Sequence, residues 1–572
     1  MYPRNKKLIM RWEAKPIPND EVIKLLQNQI GVSRHVSILL AQRGINNYDS
    51  AKSFFRPQLN HLHNPFLMKD MKLATERINE AIKKHEKILI YGDYDVDGVA
   101  STALMTNFLR QKSINVFPYI PDREKEGYGI SVTGIKQAVK KEVSLIISID
   151  CGIKAVEEVE YAKTKNIDFI ICDHHLPESK IPNAFATLNP KRDDCGYPFK
   201  DLCGCGIGFK LIQALCLGWG IDNQQLTNYL DLVSLATVAD QVPLNNENRI
   251  ITYLGLRQIN ENPRPWIKAL LHDFKENEIC SSTLVFKLSP KVNAAGRMRH
   301  ANMALELLLC DKLEDAINLS ENITKINVER QEQDKKTTEE ALIQIKHRGE
   351  ELLSSTIVHH HSWHPGIIGI VASRLIDKYH RPTVVLTKKD EYYIGSARSI
   401  KGFDIHKALK NCSGLLEQFG GHKYAAGLKL HESKLQLFKD EFEKFSKKNI
   451  SKEQKTKSYM YDLEISLSDI SIKNFKIIKQ MGPFGPHNLM PIFCTRGCIS
   501  TSQTRSVGYE NKHLQIFLKS ENKIYKGIAF GWGKYENKIK ESKGFDILYS
   551  IEKNSWNGNT ELQLVIVDIK VK

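Results

Sequence analysis

The first half of the chain alternates short apolar runs with segments of helical periodicity. Apolar runs of four to six residues lie at 88–91, 116–120, 144–149 and 168–172. Apolar positions at helical spacing separate them, over 99–109 and over 155–162. Strands that alternate with helices predict a parallel sheet with helices on its faces. We therefore predict an α/β domain over residues 76–310, preceded by a mostly helical region at 1–75.

The pattern changes after residue 310. The next segment, 311–347, is rich in charged residues at helical spacing and contains neither Gly nor Pro. It predicts a long connecting helix at 311–349. A second α/β pattern follows, with a strand, a helix and a strand at 356–359, 368–378 and 383–387. These elements predict a second, smaller α/β domain over residues 350–446.

From residue 459 onward, strand-like runs alternate with turns. The runs lie at 513–518, 525–530, 545–551 and 562–569. The dipeptide Asn557-Gly558 precedes the last run and is typical of a two-residue hairpin turn. The pattern predicts a small β-barrel over residues 458–572.

The charge balance adds a candidate partner. The 572 residues include 82 Lys and Arg against 66 Asp and Glu, so the net charge is +16. This excess favours a polyanion such as nucleic acid as the partner, although a Lys-rich proteome would give the same balance. Hydrophobic residues at 41% and charged residues at 26% exclude a collagen-like or wholly disordered chain.

Membrane and disulfide-rich classes are also disfavoured. No apolar run approaches the roughly 18 residues that span a bilayer, so we predict no membrane association. The 11 cysteines include no Cys-x-x-Cys pair, which argues against structural zinc and for reduced thiols in a cytoplasmic protein. We expect the protein to be a monomer.

Acidic residues and histidines directly follow three of the predicted strands. They are Asp93, Asp95 and Asp97 after the first strand, Asp150 after the third, and Asp173, His174 and His175 after the fourth. The carboxyl ends of parallel strands meet at one edge of a sheet, where such proteins bind ligands. We therefore expect these side chains to lie close together, since scattered surface acids would not cluster at strand ends.

Two other interpretations apply to the first acidic cluster, residues 93–98. Its spacing matches the start of an EF-hand calcium loop, but the twelfth position is Leu104 instead of Glu, and a strand precedes it. A solvated turn would also place acids here, but it leaves Asp150 and residues 173–175 unexplained. Carboxylates gathered at one sheet edge repel each other unless cations lie among them.

The donor types indicate which cations these would be. Carboxylate oxygens with an imidazole suit magnesium or manganese better than zinc. Two such ions about 3.5–4 Å apart form a site for in-line attack on a phosphorus atom. The pattern therefore predicts a two-metal site for phosphoryl chemistry.

Several motifs carry a resemblance to a known family. DYDVDG at 93–98, DCG at 150–152, DHH at 173–175 and ATVAD at 236–240 resemble the metal-binding motifs of the DHH phosphoesterase superfamily. Other segments are similar to its RecJ branch of bacterial single-strand-specific exonucleases: SPKVNAAGRM at 289–298, WHPGIIGIVASRL at 363–375, GSARS at 395–399, GGHKYAAG at 420–427 and MGPFGPHNLMPIF at 481–493. The resemblance covers residues 50–572 and implies a DHH domain, a DHH-associated domain and an OB-like barrel.

The resemblance implies a set of metal ligands for two divalent ions, Mn²⁺ or Mg²⁺. The set is Asp93, Asp95, Asp97, Asp150, His174 and Asp240. Within it, Asp95 and Asp150 would bridge the ions. Asp173 and His175 would orient ligands or contact the phosphate, and His175 counts among the catalytic residues.

The resemblance also implies residues that bind the substrate phosphates. These are Arg123, Arg297, His364, Arg374, Ser396, Arg398 and His422. Ordinary structural roles stay open for them. Arg123 could be a solvated loop charge, Arg374 an ion-pair partner on a helix, and His422 part of a glycine-rich turn.

Aromatic side chains of the barrel are candidates for base stacking. Proteins hold single strands by stacking bases on rings while Lys and Arg follow the phosphates. Phe517, Tyr525 and Trp532 are the residues we expect to bind single-stranded DNA in this way, with Tyr535 and Trp556 as further candidates. Part of this set would belong to the barrel core instead.

Three remaining motifs are given structural interpretations. Gly204-Cys-Gly-Ile-Gly208 lacks the third glycine of a dinucleotide-binding loop and is predicted to begin a helix. His359–His361 has no carboxylates nearby in sequence and is predicted to be a solvated strand end. At residues 487–489, His-Asn-Leu replaces the usual Gly-Asn-Pro of the RecJ branch, which puts the local turn in doubt.

The resemblance implies a single-stranded-DNA-specific exonuclease that cuts from 5′ to 3′ and releases 5′-mononucleotides in DNA repair and recombination. An alternative is a phosphodiesterase for short oligonucleotides or cyclic dinucleotides, which the barrel disfavours. A metal-free replication scaffold is a third interpretation, and the intact acidic set disfavours it. By analogy, a helicase and a single-strand-binding protein are the expected partners.

Overall fold

The computed structural model describes residues 10–112, 115–272, 274, 278–451, 453–520, 523–556 and 559–571. The chain divides into two units, each assembled from separate segments. We call Asn19–Val328 with Ile477–Met490 the N-terminal unit. The C-terminal unit comprises Glu329–Lys476, Pro491–Lys572 and the described part of Met1–Pro18. The predicted domain limits remain predictions.

Helices dominate the N-terminal unit. They are α1 (Asp20–Ile30), α2 (Arg34–Ala41), α3 (Tyr48–Phe55), α4 (Met71–Lys83), α5 (Val96–Arg110), α6 (Val132–Lys140), α7 (Val156–Lys163), α8 (Gly204–Gly218), α9 (Leu230–Ala239), α10 (Asn246–Glu261), α11 (Pro265–Leu270), α12 (Ser281–Thr283), α13 (Ser289–Met298) and α14 (Asn302–Leu309). The remaining helices are the long α15 (Leu313–His347), α16 (Ile368–Tyr379), α17 (Ile405–Asn411), α18 (Leu435–Asn449), α19 (Ile472–Gln480) and α20 (Glu536–Lys540). The predicted connecting helix is therefore present as α15.

The strands form four sheets. They are β1 (Arg11–Ala14), β2 (Ile88–Tyr91), β3 (Val116–Tyr119), β4 (Leu145–Ile149), β5 (Asp168–Cys172), β6 (Ala186–Leu188), β7 (Thr356–His360), β8 (Thr383–Lys389), β9 (Tyr392–Arg398), β10 (Gln418–Gly421), β11 (Ala425–His431), β12 (Ser458–Tyr461), β13 (Leu463–Glu464), β14 (Phe493–Ser500), β15 (Arg505–Val507), β16 (His513–Ser520), β17 (Lys523–Ala529), β18 (Phe545–Trp556) and β19 (Asn559–Val571). A small two-stranded sheet pairs β1 with β12 in parallel.

The sheet of the N-terminal unit is parallel throughout, in the order β3-β2-β4-β5-β6. Alternate residues of its strands enter two separate cores. Ile90 packs on one face in the same core as Leu104 of α5, and Tyr91 packs on the other face in the same core as Ile135 of α6. Burial of both faces explains why these strands are continuous apolar runs. The predicted α/β class is confirmed, with helices on both faces of the sheet.

The C-terminal unit contains a mixed sheet and a closed barrel. The mixed sheet has the order β10-β11-β9-β8-β7, with only β7 and β8 parallel. In the barrel, β14, β18, β19, β17 and β16 pair in turn, and a β14–β16 pairing closes the ring. The predicted OB-like barrel is therefore present, while its predicted turn at Asn557-Gly558 lies outside the described residues. Within the described ranges, no helix combines the length and hydrophobicity needed to cross a bilayer.

Candidate active site

The first acidic cluster lies in the loop from β2 to α5 and in the first turn of α5, beyond the carboxyl end of an inner strand of the parallel sheet. Asp95 caps α5, since its Oδ1 accepts hydrogen bonds from the backbone N–H groups of Asp97 (2.9 Å) and Gly98 (3.1 Å). A Cβ atom at Gly98 would lie 2.4 Å from the backbone nitrogen of Asp93. Only glycine therefore lets the loop fold this tightly and present its three carboxylates in a fixed arrangement.

The N-terminus of α8 holds Asp97 in place. The buried Asp97 carboxylate accepts hydrogen bonds from the N–H groups of Gly204 (2.7 Å) and Cys205 (2.8 Å). A Cβ atom at Gly204 would lie 2.5 Å from the Cβ atom of Asp150, so glycine also lets α8 approach this second carboxylate. Helix α8 does begin at Gly204, as predicted. The sequence pattern did not indicate that its first N–H groups bind a site carboxylate.

His174 lies among carboxylates that come from three different elements. Its Nε2 atom is 3.2 Å from Oδ1 of Asp150, 3.7 Å from Oδ2 of Asp240 and 3.9 Å from Oδ2 of Asp97. Asp150 follows β4 with a φ of 63°, and Asp240 is the C-cap of α9. The fold therefore brings together residues from four separate sequence motifs.

Asp173, which is buried, and His175, which is partly buried, form a pair after β5. Nδ1 of His175 lies 2.7 Å from Oδ1 of Asp173, and Oδ2 of Asp173 accepts the N–H of Ile153 at 2.9 Å. Burial opposes charge on both groups, but their hydrogen bond outweighs it. It raises the pKa of His175 and lowers the pKa of Asp173 to about 2. Asp173 therefore fixes the orientation of the His175 ring.

Tyr128 is a neighbour of this pair that the sequence pattern did not single out. Its hydroxyl lies 3.1 Å from Nε2 of His175. Gly127 and Gly129 flank it, each with a φ of 85°, so the tyrosine projects from a loop with two left-handed residues. The sequence did contain a signal for Tyr128, because a tyrosine between two glycines follows shortly after a predicted strand.

Arg123 and Arg297 lie beside the acidic loop. The guanidinium of Arg123 lies 4.8 Å from the ring centre of Tyr94, which belongs to that loop. Arg297 is on α13, where a Cβ atom at Gly296 would lie 2.3 Å from the carbonyl oxygen of Tyr94. Glycine therefore allows α13 to approach the loop closely. Both arginines belong to segments that contact the acidic loop at Tyr94, and their role in phosphate binding remains a prediction.

The other five predicted phosphate-binding residues lie in the C-terminal unit. The Arg398 guanidinium donates a hydrogen bond to the Ser396 hydroxyl at 3.0 Å. A Cβ atom at Gly369 of α16 would lie 2.9 Å from the same guanidinium and 3.0 Å from the Ser396 hydroxyl, so the two motifs pack directly together. Arg374 forms an ion pair with buried Asp334 at 2.5 Å, which is the structural role that stayed open for it.

The two histidines of this set are each involved in a local backbone contact. Nδ1 of His364 accepts a hydrogen bond from the N–H of Gly366 at 3.0 Å. His422 is exposed in the turn between β10 and β11, where its N–H donates to the carbonyl of Ala425 at 2.7 Å. A phosphate-binding role for either residue remains a prediction.

The structure corrects two of the three predicted base-stacking residues. Tyr525 is 9% exposed and Trp532 is 5% exposed, so both side chains are buried and neither ring has an exposed face on which a base could stack. Phe517 on β16 and the further candidate Tyr535 are partly exposed. The side chain of Trp556 lies outside the described residues. Which aromatic residues face inward depends on barrel register, which the spacing of the runs did not reveal.

The turn at residues 487–489 is well formed despite its departure from the family pattern. The backbones of Gly485 and Asn488 exchange two hydrogen bonds, at 3.0 and 2.9 Å. The Asn488 side chain donates to the carbonyls of Met481 (2.9 Å) and Pro483 (2.8 Å). His487, which replaces the usual glycine, has a φ of 61°. The turn is therefore kept, with a histidine in the left-handed region.

The electrostatics of the acidic cluster favour cations. Burial, together with a neighbouring carboxylate, raises the pKa of Asp97 to about 6 and that of Asp240 to about 9. The same causes raise the pKa values of Asp93 and Asp150 well above the ordinary range. Burial, aided by the neighbouring imidazole, lowers the pKa of His174 to about 3, so this ring is a neutral donor. The buried Oδ1 of Asp93 has no hydrogen-bond partner among the residues that the structure describes.

The ligand atoms fit divalent ions. They form three overlapping groups, each with its atoms within 4.8 Å of one another: Asp93, Asp95 and Asp150; Asp97, His174 and Asp240; Asp150, His174 and His175. Carboxylate oxygens with a neutral imidazole are donors that manganese and magnesium accept. Asp150 and His174 each belong to two groups, and of the two only the Asp150 carboxylate has two oxygen atoms that could bind different ions.

Comparisons with known proteins agree with this fold and site. Family models match at residues 87–237 (DHH family, N-terminal domain), 349–448 (DHHA1 domain) and 461–568 (RecJ OB domain). The parallel sheet with acids and histidines at its edge is thus that of a DHH-class phosphoesterase. The single-stranded-DNA-specific exonuclease RecJ of Bacillus subtilis is 36% identical over 98% of this chain and 71% of its own length. The chain belongs to the RecJ family of single-stranded-DNA-specific exonucleases.

Two solved structures add to this assignment. The manganese complex of RecJ from Thermus thermophilus has a TM-score of 0.85 at 24% identity, covering 98% of this chain and 80% of that one, and shows the same fold. A second structure, of exonuclease RecJ bound to manganese, has a TM-score of 0.59 at 28% identity and covers 66% of this chain and 95% of that one.

Proposed function

We propose that this protein is a single-stranded-DNA-specific exonuclease of DNA repair and recombination. It hydrolyses phosphodiester bonds from the 5′ end, with two divalent ions, and releases 5′-mononucleotides. The observation that carries the proposal is the position of His174, whose Nε2 lies 3.2–3.9 Å from three carboxylates of separate motifs. Similarity to the exonuclease of Bacillus subtilis, over 98% of this chain and 71% of that protein, supports the substrate and the reaction.

Six residues would hold the two ions, Mn²⁺ or Mg²⁺: Asp93, Asp95, Asp97, Asp150, His174 and Asp240. The raised pKa values of the buried carboxylates and the manganese bound by a 28% identical RecJ support this set. When bound, such ions activate the attacking water and neutralise charge on the phosphate oxygens.

The chain's own residues position the substrate and handle protons. Arg123 and Arg297, beside the acidic loop, bind the oxygens of the phosphate that is cut. Nδ1 of His175 is engaged by Asp173, and its Nε2 lies 3.1 Å from the Tyr128 hydroxyl, so in our proposal Nε2 exchanges a proton with that hydroxyl or with a substrate oxygen.

The C-terminal unit supplies the second group of phosphate contacts. Ser396 and Arg398 act as a pair, since the guanidinium already binds the hydroxyl at 3.0 Å. His364, Arg374 and His422 are further contacts in our proposal. The barrel binds the single strand, as OB folds do.

Digestion of a 3′-labelled oligonucleotide tests the reaction and its direction. With Mn²⁺ or Mg²⁺, we expect the single strand to shorten to progressively smaller 3′-labelled fragments, because cleavage begins at the 5′ end. The blunt-ended duplex should be spared. Tight binding without any shortening would contradict the nuclease proposal and favour a scaffold. Faster cleavage of dinucleotides than of long strands would favour the short-substrate phosphodiesterase.

Substitution of two proposed ligands tests the site. Asp150→Asn and Asp240→Asn should each reduce the rate more than about 100-fold, the upper range for loss of a residue that only supports a metal ligand. Asp49→Asn, at an exposed carboxylate on α3, is the matched control and should leave the rate unchanged. Full activity in both site variants would rule out the proposed ligand set.

We extend the proposal to the cellular setting. The protein is a cytoplasmic monomer whose partners are a helicase and a single-strand-binding protein. All 11 cysteines are free thiols, which supports a reducing compartment. Light scattering on the purified protein checks the monomer, and pull-down with the two partner types checks the contacts.

A further inference from the structure

Two loops at one end of the barrel present aromatic rings to solvent. Tyr509, in the turn between β15 and β16, is 80% exposed, and Phe530, directly after β17, is 48% exposed. The two loops lie at the same end because Leu514 of β16 pairs with Ala529 of β17. Large exposed rings on neighbouring loops are more informative than single exposed residues scattered over a surface.

Hydrogen bonds and ring contacts join the two loops into one surface. The N–H of Gly533 donates to the carbonyl of Lys512 at 3.1 Å, and the N–H of Gly531 donates to Nδ1 of His513 at 3.1 Å. The His513 ring stands edge-on to the Phe530 ring, with centroids 5.2 Å apart. The backbone connections hold both aromatic residues in place, so they are pre-organised for a ligand.

Cations lie among these rings. Lys512 Nζ is 5.3 Å from the ring centre of Tyr509 and forms an ion pair with Glu510 at 2.6 Å. Lys534 is exposed, and its Nζ is 5.1 Å from the ring centre of Tyr535. Lysines interleaved with exposed rings are the combination that holds bases and phosphates of a single strand.

A buried aromatic residue of the same loop has a structural role instead. Trp532 is 5% exposed, and its ring packs 5.2 Å from that of Tyr535. It follows Phe530 by two residues and anchors the loop from inside. The loop therefore has one ring for the core and one for solvent.

We propose that Tyr509, Lys512, His513 and Phe530 form a stacking surface that binds bases of single-stranded DNA. The proposal rests on the nuclease function proposed above and assigns the strand-binding role to residues other than Tyr525 and Trp532. Tyr509 and Phe530 would each stack on one base, and Lys512 would contact the backbone. Every base has a face to stack, so binding here is tolerant of sequence.

Equilibrium binding of a fluorescent oligo-deoxythymidine to the full-length protein, with a chelator present to prevent cleavage, tests the surface. Tyr509→Ala and Phe530→Ala should each weaken binding about tenfold, and the double variant about 100-fold. The dependence of affinity on salt should keep its slope, because the rings carry no charge. Ile499→Ala and Ile524→Ala are matched controls at exposed apolar side chains of the same barrel, 54% and 50% exposed, and should bind as the wild type does.

Two further measurements separate stacking from structural damage. Tyr509→Phe and Phe530→Trp keep an aromatic face and should keep the affinity, and the new tryptophan should be quenched by bound DNA. In cleavage assays, the double alanine variant should show a raised KM with an unchanged kcat. Wild-type affinity in the double alanine variant, with a wild-type protein that cuts DNA, would overturn the stacking surface and leave the nuclease intact. A wild type that neither binds nor cuts DNA would overturn the nuclease proposal itself.

Discussion

His487 is held in a left-handed backbone conformation, with a φ of 61°, although its side chain is exposed. The turn around it is closed by contacts of other residues. Asn488 bonds the carbonyls of Met481 and Pro483, and its Oδ1 accepts a hydrogen bond from Arg43 at 2.8 Å. A side chain with a Cβ atom costs roughly 1 kcal/mol in this region, which these contacts offset.

His487→Gly should therefore stabilise the protein by about 0.5–1 kcal/mol, since glycine adopts this conformation without the steric cost. The midpoint of urea unfolding measures the effect. His347→Gly, at the last residue of α15, is the matched control and should give no gain, because glycine is unfavourable in helices. A loss of stability in His487→Gly would show that the histidine side chain contributes a contact of its own.

At the scale of elements, α8 packs in the core and also positions carboxylates of the acidic site. Its N-terminus donates two hydrogen bonds to Asp97, and its first residue allows the close approach to Asp150. One helix end therefore positions carboxylates from two different strand ends. The partial positive charge of a helix N-terminus also favours the ionised form of the carboxylate that it binds.

Gly204→Ala should disturb both carboxylates at once, because the added Cβ atom would lie 2.5 Å from Cβ of Asp150. We expect Mn²⁺ affinity to fall at least about tenfold, the lower range for loss of a supporting contact, with a parallel loss of nuclease rate. Gly218→Ala at the other end of α8 meets no atom within 4 Å and is the control. Calorimetric titration with Mn²⁺ measures both, and wild-type affinity in Gly204→Ala would contradict the packing argument.

Many of the helices and strands could be predicted from the sequence, because the spacing of apolar residues differs between the two kinds of element. Strands buried on both faces are continuous apolar runs, so four strands of the parallel sheet and the acids at their ends were identifiable. The contact of α8 with Asp97 could not be predicted from the sequence, because Gly204 and Asp97 are brought together only by tertiary packing. Barrel register decides that Tyr525 on β17, opposite Leu518, is buried, and tertiary packing buries Trp532 in the loop after that strand. The spacing of the runs alone contains neither.

At the scale of the whole molecule, the acidic site makes stability depend on pH and on metal. Asp97, with its pKa raised to about 6, and Asp240, with its pKa raised to about 9, bind protons more strongly in the folded state. Their raised pKa values therefore lower stability as pH rises from about 4 through those values. Asp173 acts in the opposite sense: its lowered pKa gives stability that is lost as pH falls from about 4 toward 2.

Bound divalent ions should remove the loss of stability at high pH, because their positive charge replaces that of the protons on the carboxylates. Mn²⁺ at about 100 times the Kd of one site should stabilise the protein by about 2.7 kcal/mol. The rise in Tm, relative to a sample that contains a chelator, should be larger near pH 8 than near pH 6. More of the carboxylates have lost their protons at pH 8 and repel each other when no ion is bound. Thermal melts of the wild type and of Asp150→Asn check this, and the variant should respond less. An equal rise at both pH values would contradict it.

The pairing of β1 with β12 sets Arg11 opposite Ser458. Trp12 also donates to Asp568 at 2.9 Å, and Lys15 pairs with Asp462 at 2.7 Å. During synthesis at about 5–20 residues per second, the first strand waits roughly 20–90 s for its partner to leave the ribosome. The side chain of Trp12 in this strand is accessible to chaperones throughout that time. The C-terminal unit therefore reaches its final form only after residues as far as Asp568 have been translated, and a ribosome that stalls before Ser458 leaves this early strand unpaired.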